Sequence, residues 1–203
     1  MTNAITLAIT GASGAQYGLR LLQVLTQNAI PVHCLLSDTA KIVIRAEVSA
    51  EFPAHDEAAI PDFLATQFNI DIRHVNFPSV RDWFSPVASG SSAPHQMVIC
   101  PCSMGTLAAV AHGLSDNLIE RAADVVLKER GTLILVPREA PLSQIHLQNM
   151  LTLAQSGAVI LPAAPGFYLQ PQSINDLVDT LVQRILDQLG IAVTLATRWG
   201  AAQ

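Results

Sequence analysis

Five short stretches hold most of the residues able to do chemistry. They are Thr10-Gly11-Ala12-Ser13-Gly14, Ser89-Gly90-Ser91-Ser92-Ala93-Pro94, Cys100-Pro101-Cys102-Ser103-Met104-Gly105-Thr106, Pro137-Arg138-Glu139-Ala140-Pro141 and Pro162-Ala163-Ala164-Pro165-Gly166-Phe167-Tyr168. Each reads as a loop at the end of an apolar run. Each offers small residues and backbone N–H groups, which an anionic ligand needs. Gly11-Ala12-Ser13-Gly14 follows a β-branched run and opens a helical pattern, where free N–H groups and the helix dipole favour a phosphate. An ordinary strand-to-helix turn is the alternative. Ser103-Met104-Gly105-Thr106 repeats the arrangement, with a helix cap by Ser103 as its alternative.

The first loop is not a full G-x-G-x-x-G, and Ser37 stands where an acidic residue would close the second strand. A dinucleotide fingerprint is therefore weak, and a mononucleotide with a 5′-phosphate, such as FMN, fits better. Arg121 and Lys128 lie two turns apart on one helical pattern and share a face, which could hold a phosphate. The alternative is a solvated face with Asp124 and Lys128 as an i,i+4 pair. Lys41 and Lys128 are the only lysines of the chain. Arg138 and Glu139 lie between two prolines at the ligand edge of an open sheet, or else form a structural ion pair. Tyr168 follows the next strand in the same way, and Arg184 lies on the last helix. Trp83 and Trp199, the only tryptophans, fall in irregular stretches. They are core plugs, or rings that stack on a flat or cationic ligand. Cys100 and Cys102 read as packing residues, because no base lies beside them.

These loops need strands and helices to position them. Ile5–Thr10, Pro31–Leu36, Met97–Cys100, Thr132–Val136 and Ala158–Leu161 read as strands. Helical spacing covers Ala15–Asn28, the stretch from the Ser37-Asp38 cap to about Glu47, Asp56–Phe68, and the segment from Asp116 or Asn117 to Arg130, stopped by Gly131. It returns at Ser143–Ser156 and Ser173–Leu189, the latter ended by Gly190. The alternation predicts one α/β domain over 1–203, Rossmann-like and doubly wound, with a mainly parallel sheet.

Charged residues make up only 13% of the 203, against 50% hydrophobic; ordinary domains carry about a quarter charged. So few charges suggest that part of the exterior is buried against other subunits. The net charge of −5 argues against nucleic acid. No apolar run approaches the roughly 18 residues that a membrane span needs. Three cysteines make no disulfide framework, the N-terminus lacks a basic leader, and a cytoplasmic setting is expected. The six histidines lack metal-ligand spacing, so no metal site is expected.

Together these motifs resemble the UbiX-type (Pad-type) flavin prenyltransferase family. The resemblance runs from Thr10-Gly11-Ala12-Ser13-Gly14-Ala15 to Arg198-Trp199-Gly200. It includes Asn117-Leu118-Ile119-Glu120-Arg121-Ala122 and Leu127-Lys128-Glu129-Arg130, while 51–81 adds little. It implies an enzyme that transfers a dimethylallyl group from dimethylallyl monophosphate to N5 and C6 of reduced FMN, without a metal. The product, prenylated FMN, would serve a UbiD-type decarboxylase, in ubiquinone biosynthesis or other aromatic acid decarboxylation. The assembly implied is a homododecamer. By the same resemblance Gly11, Ala12, Ser13, Ser37, Ser103, Met104, Gly105, Thr106 and Arg138 would contact FMN. Ser89, Arg121, Lys128, Glu139, Tyr168 and Arg184 would surround the prenyl phosphate, some of them from neighbouring subunits. Ser13 and Glu47 would relay a proton, Glu139 would tune phosphate protonation, and Trp83 and Trp199 would stabilise an allyl cation.

Two other classes remain open. A flavin-dependent cysteine decarboxylase shares the fold but needs a catalytic histidine and gives the cations no role. A non-enzymatic flavin carrier would leave the flavin unaltered.

Overall fold

The computed structural model describes residues 4–168 and 170–196. In chain order the elements are β1 (Ile5–Ile9), α1 (Ala15–Gln27), β2 (Val32–Leu36), α2 (Asp38–Glu47), α3 (Ile60–Phe68), β3 (Val75–Asn76) and β4 (Gln96–Cys102). There follow α4 (Met104–Ala111), α5 (Leu118–Lys128), β5 (Thr132–Pro137), α6 (Gln144–Gln155), β6 (Val159–Ile160) and α7 (Ile174–Leu189). The six strands lie in the order β3-β2-β1-β4-β5-β6, and every pairing is parallel. This is the doubly wound Rossmann order, with its reversal between β1 and β4.

Strands buried on both faces need continuous apolar sequence, and Ile5–Ile9 and Leu133–Pro137 are buried throughout. Alternation then divides the core. Ile5, Leu7 and Ile9 join α1, α2, α3 and α7 in one cluster, while Ala8 joins α4, α5 and α6 in the other. Along β4, Val98 and Cys100 face the first cluster and Met97 and Ile99 the second. A register shift between Ile99 and Cys102 then turns Cys102 to the second face. Both thiols are fully buried, and burial raises their pKa, so they pack rather than react.

Most boundaries shift by a residue or two at their ends, and four departures are larger or have a local cause. The Asp56 carboxylate accepts from Ala58 N–H and holds a 3-10 turn at Glu57–Ala59, so α3 begins at Ile60 rather than Asp56. β3 has two residues, too few to show a period, and was not foreseen. β4 runs two residues past the expected end, through Pro101 to Cys102. At the end of α5 the left-handed residue is Arg130, with φ 59°, not Gly131. Gly131 is needed for space: a Cβ there would collide with the His95 carbonyl. No described helix is long and apolar enough to cross a membrane.

Candidate functional site at the switch point

The ends of β1 and β4 are stitched together by Thr10, which is 1% exposed. Its hydroxyl donates to Pro101 O at 2.9 Å and accepts from Ser103 N–H at 2.8 Å, and its own N–H donates to Pro101 O at 3.2 Å. The Gly11–Gly14 loop and the start of α4 are therefore fixed relative to each other where the strand order reverses. The sequence reading gave Thr10 no such role.

At the start of α1, Gly14 has φ 100°, a left-handed conformation that a side chain would strain. This turn aims two backbone donors at one carboxylate: Gly14 N–H and Ala15 N–H reach Glu47 Oε2 at 2.8 and 3.4 Å. Partial burial would raise the Glu47 pKa. The Ser13 hydroxyl, those two N–H groups and the nearby Arg138 charge outweigh it and hold the carboxyl below its ordinary value. Arg138 Nε donates to Ser13 O at 3.3 Å. Ser13 and Arg138, from the loops after β1 and β5, meet Glu47, the last residue of α2, at one edge. The α1 N-terminus, where the sequence reading placed a phosphate, holds the Glu47 carboxylate on its Gly14 and Ala15 N–H groups.

Two other helix starts remain open. In α4 the Ser103 hydroxyl accepts from Thr106 N–H at 3.2 Å and lies 3.0 Å from the Thr106 hydroxyl. In α2 the Ser37 hydroxyl accepts from Ala40 N–H at 3.0 Å. The N–H groups of Asp38, Thr39, Met104 and Gly105 have no partner among the described residues. The Met104 side chain is buried in the core, and what it offers a ligand is its N–H. Nothing lies within 4 Å of a Cβ built on Gly105, so the backbone there is open to a flat ligand. Gly11 and Ala12 are different: a Cβ on Gly11 would come 2.5 Å from the Thr39 hydroxyl oxygen, and Ala12 is buried. A cleft of about 390 Å³ opens between α2 and α4, lined by Ser37, Asp38, Arg81, Trp83, Thr106 and Asn117 among others. Trp83 is half exposed there. Arg81 was missed by the sequence reading, since it stands in an irregular stretch without a spacing signal.

The start of α5, in contrast, is closed. The Asn117 side chain accepts from Ile119 and Glu120 N–H and donates to Glu120 Oε1 at 2.8 Å, and Leu118 N–H donates to Val80 O at 2.8 Å. That last bond anchors a loop that runs along α5. Arg121 Nε holds Ala88 O at 3.0 Å, and a Cβ on Gly90 would come 2.8 Å from Lys128 Nζ. Ser89, Arg121 and Lys128 are thus brought together on the outer face of α5. The expected Asp124–Lys128 pair is replaced: Arg121 binds Asp124 at 2.9 Å, and Lys128 pairs with Glu129. Arg184 lies on α7, which packs on the other face of the sheet, and pairs with Asp187 at 3.1 Å. Tyr168 is exposed, and Glu139 accepts from its own loop at Ala140 N–H, 3.1 Å away. One chain does not gather these six residues into one pocket. Trp199 lies outside the described residues.

A larger depression of about 480 Å³ sits between α1, α3 and α7, lined by none of the expected ligand residues. Among the described residues no three His, Cys, Asp or Glu side chains are grouped to hold a metal ion.

The Flavoprotein family profile matches residues 2–186. The flavin prenyltransferase UbiX of Pseudomonas aeruginosa is 58% identical over 196 residues, covering 97% of this chain and 93% of that protein. Among solved structures, AnUbiX (PadA1) in complex with FMN and dimethylallyl pyrophosphate superposes with a TM-score of 0.87 at 38% identity, covering all of both chains. The dodecameric FMN-dependent UbiX-like decarboxylase from Escherichia coli O157:H7 gives 0.83 at 38% identity, over 98% of this chain and all of that one. With identity at this level over nearly the whole length of its relatives, the chain belongs to the flavoprotein family and, within it, to the UbiX-type flavin prenyltransferases.

Proposed function

We propose that the protein transfers the dimethylallyl group of dimethylallyl monophosphate to N5 and C6 of reduced FMN. The observation that carries this is the meeting of Ser13, Glu47 and Arg138 at the switch point, beside open backbone donors at Met104 and Gly105. Reduced FMN supplies the nucleophilic atoms when bound. The chain must hold the ring flat against Gly105, balance its charge and handle protons. Glu47, kept ionised by Ser13, Gly14 and Ala15, is a base within reach of Ser13. Arg138 offsets the charge of Glu47 and of an electron-rich ring.

The departing phosphate needs cations that do not move during the reaction. Arg121 and Lys128 supply them on one face, and their links to Ala88 and Glu129 fix their direction. Arg184 and Tyr168 would complete the set from a neighbouring subunit; within one chain the sheet separates Arg184, on α7, from α5. We therefore take the working form to be a homo-oligomer, a dodecamer like that of the Escherichia coli relative. The product, prenylated FMN, would pass to a decarboxylase of the UbiD type. A cysteine decarboxylase activity is disfavoured because, among the described residues, no histidine lines the cleft that holds Ser37 and Thr106.

Lys128→Ala separates donor chemistry from flavin binding. It is expected to leave FMN affinity within about twofold and to slow transfer by about 100- to 1,000-fold, the usual loss for one donor to a transition-state anion. Normal turnover would make Lys128 a solvated surface residue.

A further inference from the structure

Arg81 has no role in the account so far, yet it lines the cleft shared by Ser37 and Thr106. Its backbone is held in place: Arg81 N–H donates to the Ser79 hydroxyl at 3.4 Å, and the neighbouring Val80 O accepts from Leu118 N–H. Its guanidinium makes no ion pair or hydrogen bond among the described residues. Every other arginine or lysine assigned a part above is already engaged: Arg121 with Asp124, Lys128 with Glu129, Arg184 with Asp187, Arg138 with Ser13. Two carboxylates share the cleft with it. Asp38 is bound by the buried Lys41 at 3.1 Å, which also holds Glu57 at 2.5 Å, so its charge is balanced from behind. Asp116 lines the cleft as well, its N–H held by Glu120 Oε2 at 2.8 Å.

An FMN phosphate cannot use the α1 start, where Glu47 holds the donors. It cannot use the α5 start, where Asn117 and Val80 satisfy the first turn. The cleft between α2 and α4 combines hydroxyl-bearing Ser37 and Thr106, the open N–H of Asp38, and one cation, Arg81, without a side-chain partner among the described residues. We propose that Arg81 binds the phosphate of FMN in this cleft and is the residue that makes the protein prefer FMN to riboflavin. The guanidinium fork suits a phosphate bidentately, and Asp116 then faces the polyol chain that both flavins carry. The proposal rests on the reading that FMN is bound at the switch point.

Oxidised FMN and riboflavin are titrated separately, by quenching of flavin fluorescence, into the unsubstituted protein, Arg81→Ala and Arg81→Lys. Arg81→Ala is expected to weaken FMN about 10-fold or more, the effect of one hydrogen-bonded charge contact, and to leave riboflavin within twofold. Arg81→Lys is expected to recover part of the loss, and added inorganic phosphate to compete with FMN in the unsubstituted protein more than in Arg81→Ala. An equal fall for both flavins, or unchanged FMN affinity in Arg81→Ala, overturns the assignment. If the unsubstituted protein binds neither flavin, the FMN reading fails and takes the Arg81 assignment with it. Arg81 is exposed, so its replacement leaves the core intact.

Discussion

At the scale of single residues, the proposed chemistry turns on one carboxylate kept charged by its surroundings. Burial opposes the ionised form of Glu47, and the Ser13 hydroxyl, Gly14 and Ala15 N–H groups and Arg138 outweigh it. Because its pKa is depressed on folding, the tether it provides is fully present above the ordinary value of 4.5 and is lost as pH falls through the lower folded value. A carboxyl-resolved NMR titration should show Glu47 titrating below 4.5. Glu47→Gln should leave the α1 start capped by an amide oxygen, keep FMN bound, and lower the rate of transfer with loss of its acidic limb. An unchanged pH–rate profile in that variant would remove Glu47 from proton transfer. Residue types and position in the sequence placed Ser13, Ser37 and Arg138 in loops after strands, and the structure has them there. They did not disclose that Glu47 fills the α1 start. That contact joins residues 33 apart, and no spacing rule along the sequence reports it.

At the scale of elements, the site depends on how β1 and β4 are pinned at their ends. Thr10→Val keeps the shape but leaves Ser103 N–H without its acceptor and Pro101 O without the hydroxyl. An unsatisfied buried donor costs about 1–3 kcal/mol. Thr10→Val should lower the unfolding free energy by that order in a denaturant titration and weaken FMN, while Thr10→Ser restores both. If Thr10→Val binds FMN like the unsubstituted protein, the stitch is not what positions the loops. Long periodic elements were legible in the sequence: the start of α5 at Asn117, of α6 at Ser143 and of α7 at Ser173 follow from capping side chains, and the end of α7 from Gly190. β3 was not, because its two residues are set by pairing with β2, and the 3-10 turn before α3, held locally by Asp56, was read as part of the helix. The extension of β4 past Cys100 was also hidden, since a proline there reads as a strand end.

At the scale of the whole molecule, the sheet divides the expected phosphate ligands. Ser89, Arg121 and Lys128 lie with α5 on one face, and Arg184 lies with α7 on the other. If neighbouring subunits complete the site, two inactive variants should rescue each other. Subunits of Lys128→Ala and Arg184→Ala, dissociated, mixed and reassembled, should regain part of the transferase activity that neither has alone. No recovery in verified mixed oligomers would place both residues in one subunit's site. The sparse charge of the chain and its exposed apolar side chains on α6, Ile145, Leu147 and Leu151, agree with extensive subunit contact. The central claim, that this fold makes a modified flavin, has a direct measurement. The purified protein is incubated anaerobically with reduced FMN and dimethylallyl monophosphate, and the flavin released on denaturation is weighed by mass spectrometry. A flavin heavier by one dimethylallyl unit, formed only with both substrates, is the result predicted; FMN recovered unaltered while the protein is folded and flavin-bound would contradict it.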